Sequence, residues 1–106
     1  MTIPADDAAV VDDTAGSRFV LQEGGAEAEL IYVVDGSRLL LVHTEVPVAW
    51  GGHGIGGRLV RTALALARAR HLTVVPWCPF ARRWLQEHAD DAATVAIDWE
   101  TPRPPA

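Results

Sequence analysis

Three short apolar-rich stretches lie in the first half of the chain, and hydrophobic and polar residues alternate weakly in the second of them. The stretches at 18–22, 28–34 and 38–46 are rich in β-branched or aromatic residues, which is typical of strands. The dipeptide Asp35-Gly36, between the second and third stretches, predicts a tight hairpin turn. The run Leu39-Leu40-Leu41-Val42 has no polar position, so we expect the third strand to be central and covered on both faces.

The second half of the chain changes to a helical period. Apolar residues recur three and four positions apart from 55 to 70, which predicts an amphipathic helix. A short apolar strand follows at 72–76, and Cys78-Pro79 is a typical helix start because proline suits the first helical position. A weaker pattern at 94–99 favours a last edge strand. The sequence therefore predicts an α/β (α+β) fold, whose mixed, mostly antiparallel sheet contains one parallel β-α-β crossover.

Charge is distributed unevenly along the chain, which has 106 residues and a formal net charge of −5. Residues 1–16 carry four acids and no base, whereas residues 38–83 carry seven arginines and one acid. We predict an acidic flexible tail at 1–16, a folded domain at 17–92, and a C-terminal edge segment with a Pro-rich tail at 93–106. The basic segment suits a small anion, while the acidic balance of the whole chain argues against nucleic acid as a partner.

Missing residue types exclude several kinds of site. The chain has no lysine, so it has neither a Walker A loop nor a side-chain amine for Schiff-base chemistry. Cys78 is the only cysteine, which excludes an internal disulfide and indicates a cytoplasmic protein. The four histidines show no metal-ligand spacing, so we expect no metal. No apolar run is long enough to cross a bilayer, so we expect no membrane contact, and the oligomeric state is left open.

A glycine-rich loop, Gly51 to Gly57, precedes the long helix. The first N–H groups of a helix have no partner within it and, together with the helix dipole, attract anions. Arg58 and Arg61 oppose that dipole, which favours a bound phosphate as their counter-charge. The loop also satisfies the pattern Gly-x-Gly-x-x-Gly, but the acidic residue expected about twenty positions later in a dinucleotide site is missing. The loop therefore predicts a phosphate-containing ligand other than NAD.

Three motifs in this order resemble a known enzyme family. His43-Thr44-Glu45-Val46-Pro47 ends the third strand, the glycine loop aligns with the signature Arg/Gln-x-x-Gly-x-Gly/Ala, and Val74-Val75-Pro76-Trp77-Cys78-Pro79-Phe80 follows the helix. From about Val11 to Asp90 the chain resembles a small single-domain branch of the GNAT superfamily of N-acetyltransferases. The resemblance implies a minimal GNAT-like fold that transfers acetyl from acetyl-CoA to an amine. The chain departs from the signature at Gly51, where the family has Arg or Gln.

The resemblance also implies where acetyl-CoA binds. Backbone N–H groups of the loop would hold its pyrophosphate, and its pantetheine arm would run along the edge of the third strand. A backbone N–H near Glu45 or Val46 would polarise the acetyl carbonyl. The residues assigned to acetyl-CoA in this way are Val46, Gly51, Gly52, His53, Gly54, Ile55, Gly56, Gly57 and Arg58.

Three side chains are candidates for the chemistry of acetyl transfer. His43 and Glu45 are two positions apart on one strand and therefore share a face, so either can accept a proton from the amine. Cys78, at the start of a helix, can protonate the leaving thiolate, carry the acetyl group, or simply fill the core. We favour direct attack by the amine in a ternary complex. The alternative is a non-catalytic CoA-binding module with a regulatory or protein-interaction role.

Overall fold

The computed structural model describes residues 2–105, which form a five-stranded sheet and three helices. In chain order the strands are β1 Val11–Asp13, β2 Arg18–Glu23, β3 Ala26–Asp35, β4 Arg38–Glu45 and β5 Thr73–Pro76. The helices are α1 Ile55–Arg70, α2 Pro79–Glu87 and α3 Ala89–Ala92, and a 3₁₀ turn at Val48–Trp50 follows β4. The strand order in the sheet is the chain order, with antiparallel pairs from β1 to β4 and a parallel pair of β4 with β5.

The structure confirms the predicted fold class and its β-α-β crossover, in which α1 connects β4 to the parallel strand β5. Helix α1 begins and ends at the predicted residues. The predicted hairpin between β3 and β4 is also present, but its two-residue turn is Gly36-Ser37, one position later than predicted, because Asp35 still pairs with Arg38. Gly36 has φ of +60°, the left-handed conformation that a glycine adopts at little cost. These elements depend on local signals, which explains why the sequence was sufficient to predict them.

The prediction of a loose acidic tail through residue 16 is wrong at β1. Val11–Asp13 pairs antiparallel with β2, in the register Val11 with Val20. The acids of this segment serve as acceptors within the fold, since Tyr32 Oη donates to Asp12 Oδ1 at 2.6 Å and Arg18 Nε donates to Asp13 Oδ2 at 3.1 Å. Burial and the Asp12 carboxylate raise the pKa of Tyr32 to about 12.

The C-terminal segment adds less to the sheet than the sequence predicts. Instead of a strand at 94–99, Ile97 forms an isolated parallel bridge to Val74 of β5. The segment then turns at Asp98, whose carboxylate accepts hydrogen bonds from the backbone N–H groups of Glu100 and Thr101 and from the Thr101 hydroxyl. These donors lower the pKa of Asp98, so the turn is strongest when the carboxylate is ionised.

The hydrophobic core lies between α1, α2 and one face of the sheet. Its fully buried side chains include Leu30 of β3, Leu39 and Leu41 of β4, and Leu59 of α1. Leu40, on the opposite face of β4, is also buried, as the apolar run predicts for a central strand. Because β4 lies between β3 and β5 in this sheet, its C-terminal end can present residues on both faces.

Candidate active site

The backbone of the glycine loop is shaped so that a ligand can approach it closely. Gly52 and Gly54 adopt φ of +79° and +73°, and a Cβ added to either would meet no atom within 4 Å. Glycine is needed at these two positions for the left-handed backbone rather than for lack of space. The open surface above them is accessible to a ligand, and His53 between them is exposed.

The N-terminus of α1 points its first N–H groups out of the helix. Gly54 is the N-cap residue and supplies no side-chain cap, and the Arg58 N–H is the one that donates to the Gly54 carbonyl oxygen. Within residues 2–105 the N–H groups of Ile55, Gly56 and Gly57 donate to no backbone acceptor. Three aligned donors at the positive end of a 16-residue helix are the features that bind anions in proteins.

A groove of about 330 Å³ runs beside this helix start. Val46, Trp50, Phe80 and Trp84 form its apolar walls, and glycines of the loop form its rim. Gly56 and Gly57 have a packing role: a Cβ on Gly56 would lie 2.5 Å from Phe80 Cζ, and a Cβ on Gly57 would lie 2.5 Å from Trp84 Nε1. These two glycines therefore let α2 approach the first turn of α1.

The two arginines that follow the loop are engaged elsewhere in the fold. The Arg58 guanidinium donates to the carbonyl oxygens of Ala5 (3.1 Å) and Ala8, which holds the N-terminal segment against α1. The Arg61 guanidinium stacks on the Trp84 ring at 5.0 Å from its centroid and lies 3.6 Å from Asp91 Oδ1. Their placement near a helix N-terminus thus has a structural reason that the sequence did not reveal.

A β-bulge in β4 decides which side chains face the site. Tyr32 of β3 pairs with Leu41, but the next residue back, Ile31, pairs with His43, so Val42 has no partner on β3. The extra residue reverses the alternation of faces from that point. His43 and Glu45 therefore lie on the face opposite Leu39 and Leu41, although regular spacing would place all four on one face.

Strands β4 and β5 separate just beyond the bulge. Their pairing ends at Leu41 with Pro76, and the Cys78 N–H donates to the Leu41 carbonyl oxygen at 2.8 Å. After this contact the chain turns into α2, whereas β4 continues to Glu45 beside β3 alone. The end of β4 is thus exposed at an opening in the sheet, next to Val46 and the groove.

His43 and Glu45 form a pair on the exposed face of β4. His43 Nε2 and Glu45 Oε1 are 2.9 Å apart, and the side chains are 51% and 66% exposed. The shared face agrees with the sequence prediction, and within residues 2–105 neither side chain is a packed core residue or a partner of an arginine. A histidine hydrogen-bonded to a carboxylate in contact with solvent can accept a proton and pass it to water.

Cys78 and Thr44 meet on the other face of the sheet. Because of the bulge Thr44 points toward the core, where its Oγ1 lies 3.2 Å from Cys78 Sγ. Cys78 is the N-cap of α2 and is 2% exposed. The sequence analysis missed Thr44, since its partner is 34 positions away and the bulge that turns it inward leaves no local signal.

The fold and this site can now be compared with known proteins. A family model described as GCN5-related N-acetyl-transferase matches residues 18–95. The chain belongs to the GCN5-related N-acetyltransferase family. The predicted GNAT-type enzyme class and fold are therefore confirmed.

A solved structure is similar to this family member over most of both chains. The NMR solution structure of a GCN5-like protein from Staphylococcus aureus matches with a TM-score of 0.68, covering 91% of this chain and 95% of that chain at 22% sequence identity. At this identity the likeness supports the fold and not a shared substrate. No curated protein matches the sequence significantly.

Two further properties concern residues 2–105 of the N-acetyltransferase. No helix within residues 2–105 is both long and apolar enough to cross a membrane. The same residues contain no group of three or more His, Cys, Asp or Glu side chains placed to hold a metal ion.

Proposed function

We propose that this protein transfers an acetyl group from acetyl-CoA to an amine that attacks directly in a ternary complex. One observation carries the proposal: β4 and β5 separate beyond Leu41 and Pro76, between a helix N-terminus with unpartnered N–H groups and the His43–Glu45 pair. Donor and acceptor can reach this opening from opposite faces of the sheet. Holding two reactants side by side supplies much of the rate of a group transfer.

The loop and the groove fit the donor. Acetyl-CoA supplies an activated thioester, an apolar pantetheine arm and a charged pyrophosphate. The N–H groups from Gly52 to Gly57 are suited to the pyrophosphate, and the groove beside Val46 is suited to the arm. Gly51 carries no side chain to add to this site, and the Arg58 guanidinium is held by Ala5 and Ala8. Backbone N–H groups therefore provide most of the hydrogen bonds to the pyrophosphate in this proposal.

The His43–Glu45 pair is suited to the proton of the acceptor amine. As the new C–N bond forms and the C–S bond breaks, a proton passes from the amine nitrogen to Glu45 or, through water, to His43. A backbone N–H near Val46 would stabilise the developing oxyanion. The leaving thiolate takes up a proton, and our candidate donor is the Cys78 thiol, which is hydrogen-bonded to Thr44 on the core face.

Ligand-induced stabilisation tests the donor. We expect acetyl-CoA and CoA to raise the melting temperature of the full chain and NAD to leave it unchanged, because a ligand that binds only the folded state stabilises it. If neither CoA form raises the melting temperature, the proposal is refuted. Mass spectrometry of a panel of amines after incubation with acetyl-CoA identifies the acceptor.

Substitution of Glu45 tests the chemistry separately from binding. Glu45→Gln keeps the shape of the side chain and removes its basicity, so the acetylation rate should fall roughly a hundredfold or more with the CoA affinity unchanged. Glu87→Gln, at an exposed acid of α2, is the matched control and should keep the full rate. An unchanged rate in Glu45→Gln would assign the proton to His43. No acetylated product with wild type, despite CoA binding, would favour the non-catalytic module.

The role of Cys78 is resolved by two variants. Direct transfer predicts that the Cys78→Ser protein, incubated with acetyl-CoA and no amine, has no acetylated form in its intact mass. Cys78→Ala should retain CoA binding, and its rate measures the contribution of the thiol as an acid. A wild-type protein that becomes acetylated on Cys78, and passes that acetyl to the amine, would replace direct attack by a covalent route.

A further inference from the structure

Trp84 of α2 is a buried side chain whose indole N–H has no hydrogen-bond partner in the part of the chain that the structure describes. It is 7% exposed, and among residues 2–105 its Nε1 donates to no acceptor, whereas Trp50 and Trp77 donate to the carbonyl oxygens of Thr2 and Thr101. No fully shielded side-chain nitrogen or oxygen of the described residues lacks a partner. The Trp84 nitrogen must therefore border open space, and the groove is the space that Trp84 lines.

This nitrogen lies against the first turn of α1. A Cβ on Gly57 would be 2.5 Å from Trp84 Nε1, so the absence of a side chain at Gly57 lets the indole reach the helix backbone. Two independent sets of donors thus meet at one end of the groove: the helix N–H groups of Ile55 to Gly57, and the indole N–H. The indole N–H borders open space and has no acceptor among the described residues, so it is available to an acceptor that binds in the groove.

Two neighbouring side chains hold the indole ring in this orientation. The His88 ring stacks on it with centroids 3.9 Å apart and planes 9° from parallel, and His88 Nδ1 donates to the Trp84 carbonyl oxygen at 2.8 Å. The Arg61 guanidinium lies 5.0 Å from the ring centroid. The donor is therefore oriented before a ligand arrives, which reduces the entropy lost on binding. The positive end of the α1 dipole, where the unpartnered backbone N–H groups lie, favours an anionic acceptor over a neutral one.

We propose that Trp84 is a ligand-binding residue whose indole N–H donates a hydrogen bond to an anionic phosphate oxygen at the N-terminus of α1. The inference rests on the proposed function only where it identifies that phosphate as part of acetyl-CoA. It assigns the aromatic residue at position 84 a role in recognition as well as in the core. It also explains Gly57 as the position that gives the indole access to the phosphate.

The affinity test compares two Trp→Phe variants of the full chain. Trp84→Phe removes the indole N–H and keeps an aromatic ring in the core, whereas Trp77→Phe removes an N–H that donates to Thr101 outside the groove. Titration calorimetry should show about tenfold weaker CoA binding for Trp84→Phe, the effect of losing one hydrogen bond to a charged group, and no change for Trp77→Phe. Equal affinities of wild type and Trp84→Phe would overturn the inference.

A second measurement uses the wild-type protein and does not depend on how a variant folds. The indole ¹H resonance of Trp84 should move downfield when inorganic pyrophosphate is added and stay in place when pantetheine, which has no phosphate, is added. A shift with pantetheine alone would mean an amide carbonyl acceptor and would overturn the proposal, as would no shift with either. If pyrophosphate shifts the resonance but acetyl-CoA does not bind, the proposed function fails and the phosphate contact stands.

Discussion

Alanine substitutions at Gly56 and Gly57 should have opposite effects on stability, although both lie in the first turn of α1. Helix propensity alone favours alanine over glycine by about 1 kcal/mol at each position. At Gly56 the new Cβ would meet Phe80, a residue that is 42% exposed and whose ring can rotate toward solvent. At Gly57 it would meet Trp84, which His88 and Arg61 hold in place.

The net effects follow from these two contacts. Gly56→Ala should keep most of its propensity gain, whereas overpacking against Trp84 costs about 1–3 kcal/mol, so Gly57→Ala should be destabilised by about 1 kcal/mol. The expected difference is about 2 kcal/mol, or roughly 10 °C in melting temperature for a domain of this size. Thermal denaturation followed by far-ultraviolet circular dichroism of both variants and wild type measures it.

A double variant checks that Trp84 is the cause. In a Trp84→Phe background the smaller ring leaves room for the Cβ, so Gly57→Ala should cost less than it does in wild type. Gly56→Ala serves as the control and should have the same effect in both backgrounds. The reasoning is refuted if Gly57→Ala is as stable as Gly56→Ala, or if its cost is unchanged by Trp84→Phe.

Three other variants probe contacts outside the first turn of α1. Arg58→Ala should lower the free energy of unfolding in urea by roughly 1–2 kcal/mol, because charged hydrogen bonds to Ala5 and Ala8 are lost; weaker CoA binding at unchanged stability would instead make Arg58 a phosphate ligand. His71→Gly should raise stability by about 0.5–1 kcal/mol in the same assay, since His71 ends α1 at φ of +55°; a loss would show that the His71 side chain is needed. Tyr32, with its pKa raised to about 12, stabilises the fold below pH 10, and this contribution is lost as the pH rises through 12. Tyr32→Phe should therefore lose less free energy of unfolding than wild type between pH 10 and 12. Identical dependence of stability on pH in the two proteins would contradict the pKa assigned to Tyr32.

Local patterns were enough for the elements that carry the fold. The 3.6-residue period of α1 and the Pro79 helix start depend on neighbours along the chain, and both are where the sequence predicts them. The Asp35-Gly36 signal predicts the hairpin, whose turn lies one residue later. The glycine loop was also evident, because a run of glycines between a strand and a helix is a local signal. The roles of individual glycines were not evident: Gly52 and Gly54 are required by backbone conformation, whereas Gly57 is required by Trp84 of α2 and Gly56 lies against the movable side chain of Phe80.

The parts of the site that escaped prediction depend on partners distant in sequence. The sequence of β1 is typical of an acidic tail, because aspartates without a nearby partner are usually solvated. In the fold, however, Asp12 accepts a hydrogen bond from Tyr32 of β3 and Asp13 accepts one from Arg18 of β2. Arg58 looked available for phosphate, although the carbonyl oxygens of Ala5 and Ala8 hold its guanidinium. Apart from the contact of Asp13 with Arg18, these hydrogen bonds join residues 20 to 53 positions apart, so no local pattern records them.

The amino-acid sequence alone determined the fold class, the glycine loop at the start of α1, and the family to which this N-acetyltransferase belongs. Only the tertiary structure decided which face each candidate residue occupies. The bulge at Val42 sends His43 and Glu45 to the exposed face and turns Thr44 toward Cys78. The physical reason is that strand alternation is set residue by residue, whereas a bulge is set by pairing between strands, so one unpaired residue reassigns every side chain after it.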